Sequence, residues 1–289
     1  TTRQEVINPR WIDFSSDVRQ CKRPVVYGGG KGAGKLWNDY IALQSKKQPP
    51  GNETFPNNAN AYLLQALQPK REWRELAMSC VANHAHNQQK QHQSYIALHA
   101  RIELEMMDHS CGRKMERNLT KIFNMVEELV GNQQQQALLR GVSGVFVAVS
   151  RSGIEVKDEK LYEKFKDFAD HNLETLNRVV GIPGGQEGTG LERFDLSVFE
   201  CGQKLMDDYY AVHPNSIDYG SLLQSMVNFY IATEATAFVG VRGSSYSTDI
   251  WTTRYHQGKG HTNFEYTTDG IIPMENGGLP PPHKNCARK

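Results

Sequence analysis

His99, Arg101 and Glu103 occupy alternate positions where the apolar run "SYIALHARI" ends. In extended backbone that spacing puts all three side chains on one face. An arginine and a glutamate on an otherwise buried face cost free energy unless they pair or meet a ligand. The rigid guanidinium fork also suits the oxygens of a phosphate. Two arrangements fit: an Arg101–Glu103 ion pair beside a satisfied core histidine, or an anion held by Arg101. A second constellation is "RGSSYSTD" (242–249), small hydroxyl residues between an apolar run and an apparent helix. Amides at a helix N-terminus, helped by serine hydroxyls, bind anions; a serine there also simply caps the helix. Two such places in one chain say more than either alone.

A third stretch, "GGGKGAGK" (28–35), looks like a phosphate-binding loop. Its glycines and Lys35 supply two of the motif's three parts. Leu36 stands where a Ser or Thr hydroxyl would hold Mg²⁺, and "WND" opens a helix poorly. A glycine-rich surface loop explains the stretch better.

The elements that must position these residues follow from periodicity. A helix is expected around Trp73, Leu76 and Ala77, followed by an exposed polar stretch, "NHAHNQQKQHQ". "SYIALHARI" reads as a buried strand. Leu119, Ile122, Val126 and Leu129 keep helical spacing, with Gly131 as the stop. "GVFVAVS" (144–150) is a second strand. Leu161, Phe165, Phe168 and Leu176 mark a long amphipathic helix closed by Gly181. "SLLQSMVNFYIAT" is another helix, "AFVGV" (237–241) another strand, and Ser245–Tyr255 a further helix. This rhythm is that of a doubly wound α/β domain. In such a sheet ligands bind beyond the carboxyl ends of the strands, where both constellations fall. The first sixty residues are loop-rich and end in the linker-like "KKQPPGNETFPNNANA". The expected division is 1–90, part of an N-terminal, acceptor-side domain, and 91–289, a Rossmann-type domain.

The 289 residues are 38% hydrophobic and 22% charged, as in a globular chain. The net charge of +1 supplies no basic surface for nucleic acid. No apolar run approaches the roughly 20 residues needed to span a bilayer, so any membrane anchor is expected upstream. Cys21, Cys80, Cys111, Cys201 and Cys286 show no metal-ligand spacing and permit either disulfides or buried thiols. Sequons occur at Asn52 and Asn118. His84, His86 and His92 lack a supporting ligand pattern for zinc, and Asp207-Asp208 reads as a solvated pair. No metal site is expected.

Longer motifs add a resemblance. "YIALHARIELEMMDHSC" resembles a motif of the GDP-fucose protein O-fucosyltransferase superfamily, especially its plant-like branch. "ALQPKREWRELA" (66–77) resembles the segment before it, and "SMVNFYIATEATAFVGVRGSSYSTDIWTTR" the closing sugar-nucleotide motif. The likeness covers residues ~60–255. It implies a GT-B fold with two Rossmann-like halves and an inverting, metal-independent transferase with GDP-fucose as donor substrate and no cofactor. Arg101 would contact the diphosphate and assist departure of GDP. His99 would line the donor pocket, and Ser244, Ser245 and Tyr246 would hold phosphate and base. Glu103 is the candidate base. Partners would be a nucleotide sugar and a protein or glycan acceptor, and the location the lumen of the Golgi or endoplasmic reticulum. Glu105 and Asn228 stand where the family has Asp; Asn228 is still expected to bind the donor, with base or ribose recognition weakened by the lost charge, and residues 1–60 lack the family's glycine–asparagine motif. The chain is therefore expected to be either a piece of a longer enzyme or diverged in that half. A non-catalytic member that binds a nucleotide sugar or glycan is the alternative; a P-loop NTPase is a distant third.

Overall fold

The structure, a computed structural model, describes residues 71–87, 94–107, 115–154, 159–180, 191–201, 203–212 and 221–280. The chain divides into two compact units after Arg74, and the sheet belongs wholly to the second, Glu75–Lys289. The glycine loop with Lys35, the 46–61 linker, the Asn52 sequon, His92, Gly181 and Cys21, Cys111 and Cys286 lie outside the described residues.

Six strands form one sheet in the order β3-β2-β1-β4-β5-β6. They are β1 (Ser94–His99), β2 (Val142–Ala148), β3 (Ser197–Phe199), β4 (Ala237–Gly240), β5 (Asn263–Tyr266) and β6 (Ile271–Pro273). The first five run parallel; β6 runs antiparallel to β5. The helices are α1 (Arg71–Asn87), α2 (Leu104–Met107), α3 (Leu119–Gly131), α4 (Arg151–Ile154), α5 (Glu159–Val179), α6 (Gln203–Val212), α7 (Ser221–Glu234) and α8 (Ser245–His256). An order that runs outward from β1 to β3, then restarts at β4 on the other side, is that of a Rossmann-like α/β domain.

The register sorts the strand residues into two faces. Ile96 and Leu98 align with Val145 and Val147 on one side and with Ala237 and Val239 on the other. This face packs on Leu119, Ile122, Phe123 and Val126 of α3 and Ala169, Leu176 and Val179 of α5, all buried. The opposite face carries Tyr95, Ala97, His99, Phe146, Phe199, Phe238 and Gly240 in alternation with it. Tyr95 donates to the Ile231 carbonyl of α7, and Phe238 meets Trp251 of α8 edge-on. Strands buried on both faces read as near-continuous apolar runs, which is why β1, β2 and β4 were legible.

Several expectations need correction. β1 stops at His99, so Arg101 and Glu103 leave the strand, although buried Ala100 and Ile102 still alternate with them. Phe168 is exposed. The backbone of α5 leaves helical geometry at Phe165 (φ −125°, ψ 19°), and beyond that kink the buried stripe is Ala169, Asn172, Leu176 and Val179. Gly131 is the last residue of α3, as expected, with Asn132 as the C-cap, and a Cβ on it would lie 3.0 Å from the Phe194 ring. The "NHAHN" stretch continues α1, and His84 stacks on Phe199 with ring centroids 4.2 Å apart while sharing a hydrogen bond with Ser197 Oγ. A Cys80–Cys201 disulfide joins α1 to the chain just beyond β3. β3, β5 and β6, of three or four residues each, were not among the expected strands. No helix among the described residues is long and apolar enough to cross a membrane.

Candidate functional site

β1 and β4 are neighbours, yet β1 is followed in the sheet by β2 on one side and β4 by β5 on the other. The strand order therefore reverses between them, and the space outside their carboxyl ends is the usual ligand position in such a sheet. β1 ends at His99 and continues through Arg101 and Glu103; β4 ends at Gly240 and turns through Arg242 and Gly243 into α8. The two constellations, more than 140 positions apart in sequence, meet here. Arg101 Nη1 donates to Ser244 Oγ at 3.3 Å, and Arg101 Nε donates to Glu103 Oε2 at 3.1 Å.

The bland expectation of an Arg101–Glu103 ion pair is thus realised, and it leaves most of the arginine uncommitted. A guanidinium has five N–H donors. Two are engaged; the others reach no acceptor among the described residues. The backbone around Arg101 is pinned separately, since its N–H donates to the phenol oxygen of fully buried Tyr266 at 2.9 Å. Glu103 is held close to α4, where a Cβ on Gly153 would lie 2.9 Å from Glu103 Cγ.

Ser244 is the N-cap of α8: its hydroxyl accepts from Ser247 N–H as well as from Arg101. With both lone pairs occupied, the Ser244 O–H remains a donor. Ser245 is exposed in the first turn, and neither its amide nor that of Tyr246 has an acceptor among the described residues. Tyr246 tilts over the His99 ring at 4.8 Å, meets Phe229 edge-on and donates its O–H to the Ser225 carbonyl. His99 Nδ1 lies 2.7 Å from Ser247 Oγ. Burial, aided by the Arg101 charge, lowers His99 to about 3, so the ring is neutral near pH 7. Gly240 makes this approach possible, because a Cβ there would lie 2.9 Å from both Ser247 Oγ and the Trp251 ring. Beside the cluster, Arg242 donates through Nε and Nη2 to Glu265 Oε2.

Of the expected residues, His99, Arg101, Glu103, Ser244, Ser245 and Tyr246 come together. Asn228, on α7, makes no hydrogen bond to any of them; its buried Oδ1 has no partner among the described residues. Ser247, Tyr266, Gly240 and Gly153 were missed as site residues. Ser247 could have been found: Ser247, Ile250, Trp251 and Arg254 keep helical spacing and form the buried face of α8, so a hydroxyl on that stripe must face the sheet. Tyr266 gave no comparable signal. Asp207 and Asp208 are exposed on α6. No group of three or more metal-ligating side chains occurs among the described residues.

No family model matches the chain, and no curated protein matches it in sequence.

Proposed function

We propose that this chain is a GT-B-type glycosyltransferase that moves fucose, or a related 6-deoxysugar, from GDP-fucose to a hydroxyl of a protein or glycan. The observation that carries this reading is the meeting of Arg101 with Ser244 at the point where the strand order reverses. The uncommitted groups around that contact are donors: three guanidinium N–H groups, the Ser244 hydroxyl hydrogen and the first amides of α8. A ligand rich in anionic oxygens, such as a nucleoside diphosphate, complements such a cluster.

In the proposed reaction the acceptor oxygen attacks the anomeric carbon from the face opposite the diphosphate. The carbon–oxygen bond to the β-phosphate breaks, and GDP leaves with the electron pair. Arg101 and the Ser244 turn stabilise the charge that develops on the leaving oxygen, the part a bound metal plays in other transferases. Glu103 takes the acceptor proton. The Cys80–Cys201 disulfide supports a lumenal location, Golgi or endoplasmic reticulum, since such bonds persist in oxidising compartments.

Titration with GDP, ADP and UDP, with and without Mg²⁺, tests the reading. GDP-selective binding that needs no metal, weakens at least about 10-fold in Arg101→Ala and accompanies transfer from GDP-fucose is the expected result. Near-normal turnover in that variant would overturn it. A second reading, a non-catalytic binder of a nucleotide sugar or glycan, is favoured by the ion pair that already engages Glu103 and by the amide at Asn228. GDP binding without transfer or donor hydrolysis would select it.

A further inference from the structure

Ser247 is fully buried, and its hydroxyl can be assigned by counting hydrogens. A serine hydroxyl has one hydrogen to donate and two lone pairs. Val241 N–H points at Ser247 Oγ from 3.1 Å, so the oxygen accepts there. The second contact is His99 Nδ1 at 2.7 Å. If Nδ1 carried a proton and donated, the Ser247 hydrogen would have no acceptor among the described residues. A buried donor left unpaired costs about 1–3 kcal/mol. The arrangement that satisfies every group has Ser247 O–H donating to an unprotonated Nδ1. A neutral imidazole must then carry its hydrogen on Nε2.

We propose that Ser247 is a positioning residue that locks His99 as the neutral Nε2–H tautomer, making the ring a fixed hydrogen-bond donor to a ligand oxygen at the carboxyl end of β1. Nε2 has no partner among the described residues, and the residue is 6% exposed. With Nδ1 held by Ser247 and Tyr246 tilted over the ring, Nε2–H is the polar group the ring has left to offer. A histidine in this state cannot serve as a base through Nε2. His99 is thereby a binding group, and proton removal falls to a carboxylate or to solvent. Gly240 is part of the same device, since it alone admits Ser247 to the strand. The ligand side of the proposal rests on the glycosyltransferase reading; the tautomer lock does not.

The test is a long-range proton–nitrogen correlation spectrum of the protein labelled with ¹⁵N at histidine. For His99 the expected pattern is a protonated Nε2 and a bare Nδ1, unchanged between pH 7.5 and 5.5. Saturating GDP should shift Nε2 and leave Nδ1 in place. Ser247→Ala should bring in the Nδ1–H form and weaken GDP binding about 10-fold, the worth of one hydrogen bond. Ser247→Thr should restore both. A wild-type ring protonated on Nδ1 would overturn the lock, with no variant needed to show it. GDP binding seen by calorimetry with Nε2 unmoved would overturn the donor role of His99. The expected tautomer in a protein that binds no GDP would sink the transferase reading and leave the lock supported.

Discussion

Arg101 and Arg254 lie at opposite ends of α8 and of the sheet, and they are used in opposite ways. Arg254 sits at the amino edge and is fully buried. Its Nε donates to Asn263 Oδ1, Nη1 to the carbonyls of Ala232, Thr233 and Ala235, and Nη2 to the Thr236 carbonyl and Thr262 Oγ1. It joins the end of α7, the approach to β4 and the start of β5, collecting carbonyls that a helix end leaves without partners. Burial lowers it to about 10, which still leaves it charged at neutral pH. Arg101, at the carboxyl edge, gives its protein neighbours two hydrogen bonds and keeps the rest of its fork open. A saturated arginine holds a fold together; the unsaturated one is the group proposed to hold a ligand.

The sharpest way to break that comparison is to delete each arginine. Arg254→Met strands six acceptor contacts in the interior and should lose about 4 kcal/mol of stability, the range for one member of a buried polar network. Arg101→Ala, with its side chain 23% exposed, should lose less than about 1 kcal/mol while GDP binding falls. Urea unfolding of both variants beside a GDP titration measures the pair. An Arg101→Ala protein as unstable as Arg254→Met would make both residues structural.

Gly240→Ala sharpens the comparison at the strand itself. A methyl group there meets Phe238, Ser247 and Trp251 at 2.8–2.9 Å. The packed ring and helix cannot all withdraw, so overpacking should cost about 1–3 kcal/mol. The contact nearest the site, His99 to Ser247, should be the first to lengthen. Equal stability with an unchanged His99 spectrum would show that α8 has slack the structure does not display.

What could be read from the sequence, and what could not, divides along the same line. Periodicity found the strands whose both faces are covered, and "HARIE" and "RGSSY" lie at two of their ends because those strands are neighbours at the order reversal. That neighbourhood is a tertiary fact. Nothing local in the sequence says that β4 lies beside β1, so the Arg101–Ser244 contact was not available. Arg254 escaped notice for a related reason: its partners are backbone carbonyls, which any residue type supplies. Ser247 was within reach, hidden in a serine-rich turn whose first members, Ser244 and Ser245, drew the attention. The kink at Phe165 left no Pro or Gly signature, so the phase change that exposes Phe168 could not be foreseen.

The smallest effect tests whether the site really excludes a second positive charge. His99 is held at about 3 in the folded chain against an ordinary value of 6.5. The unfolded state therefore binds a proton near pH 6.5 that the native state refuses until near pH 3. The stability this ring contributes is complete above pH 6.5 and is lost as pH falls towards 3, because the state binding more protons gains from acid. Between pH 7.5 and 5.5 the loss from this one group should be about 1.4 kcal/mol. Other groups titrate over the same range, so the useful quantity is the difference from His99→Asn, whose amide oxygen offers Ser247 an acceptor near the place of Nδ1. The variant should unfold with a pH dependence flatter by that amount. Parallel profiles for the two proteins would mean that the native ring takes up its proton as readily as the unfolded one. Arg101 would then face a second cation in mildly acidic solution, and the contrast with the fully enclosed Arg254 would be weaker than the geometry implies.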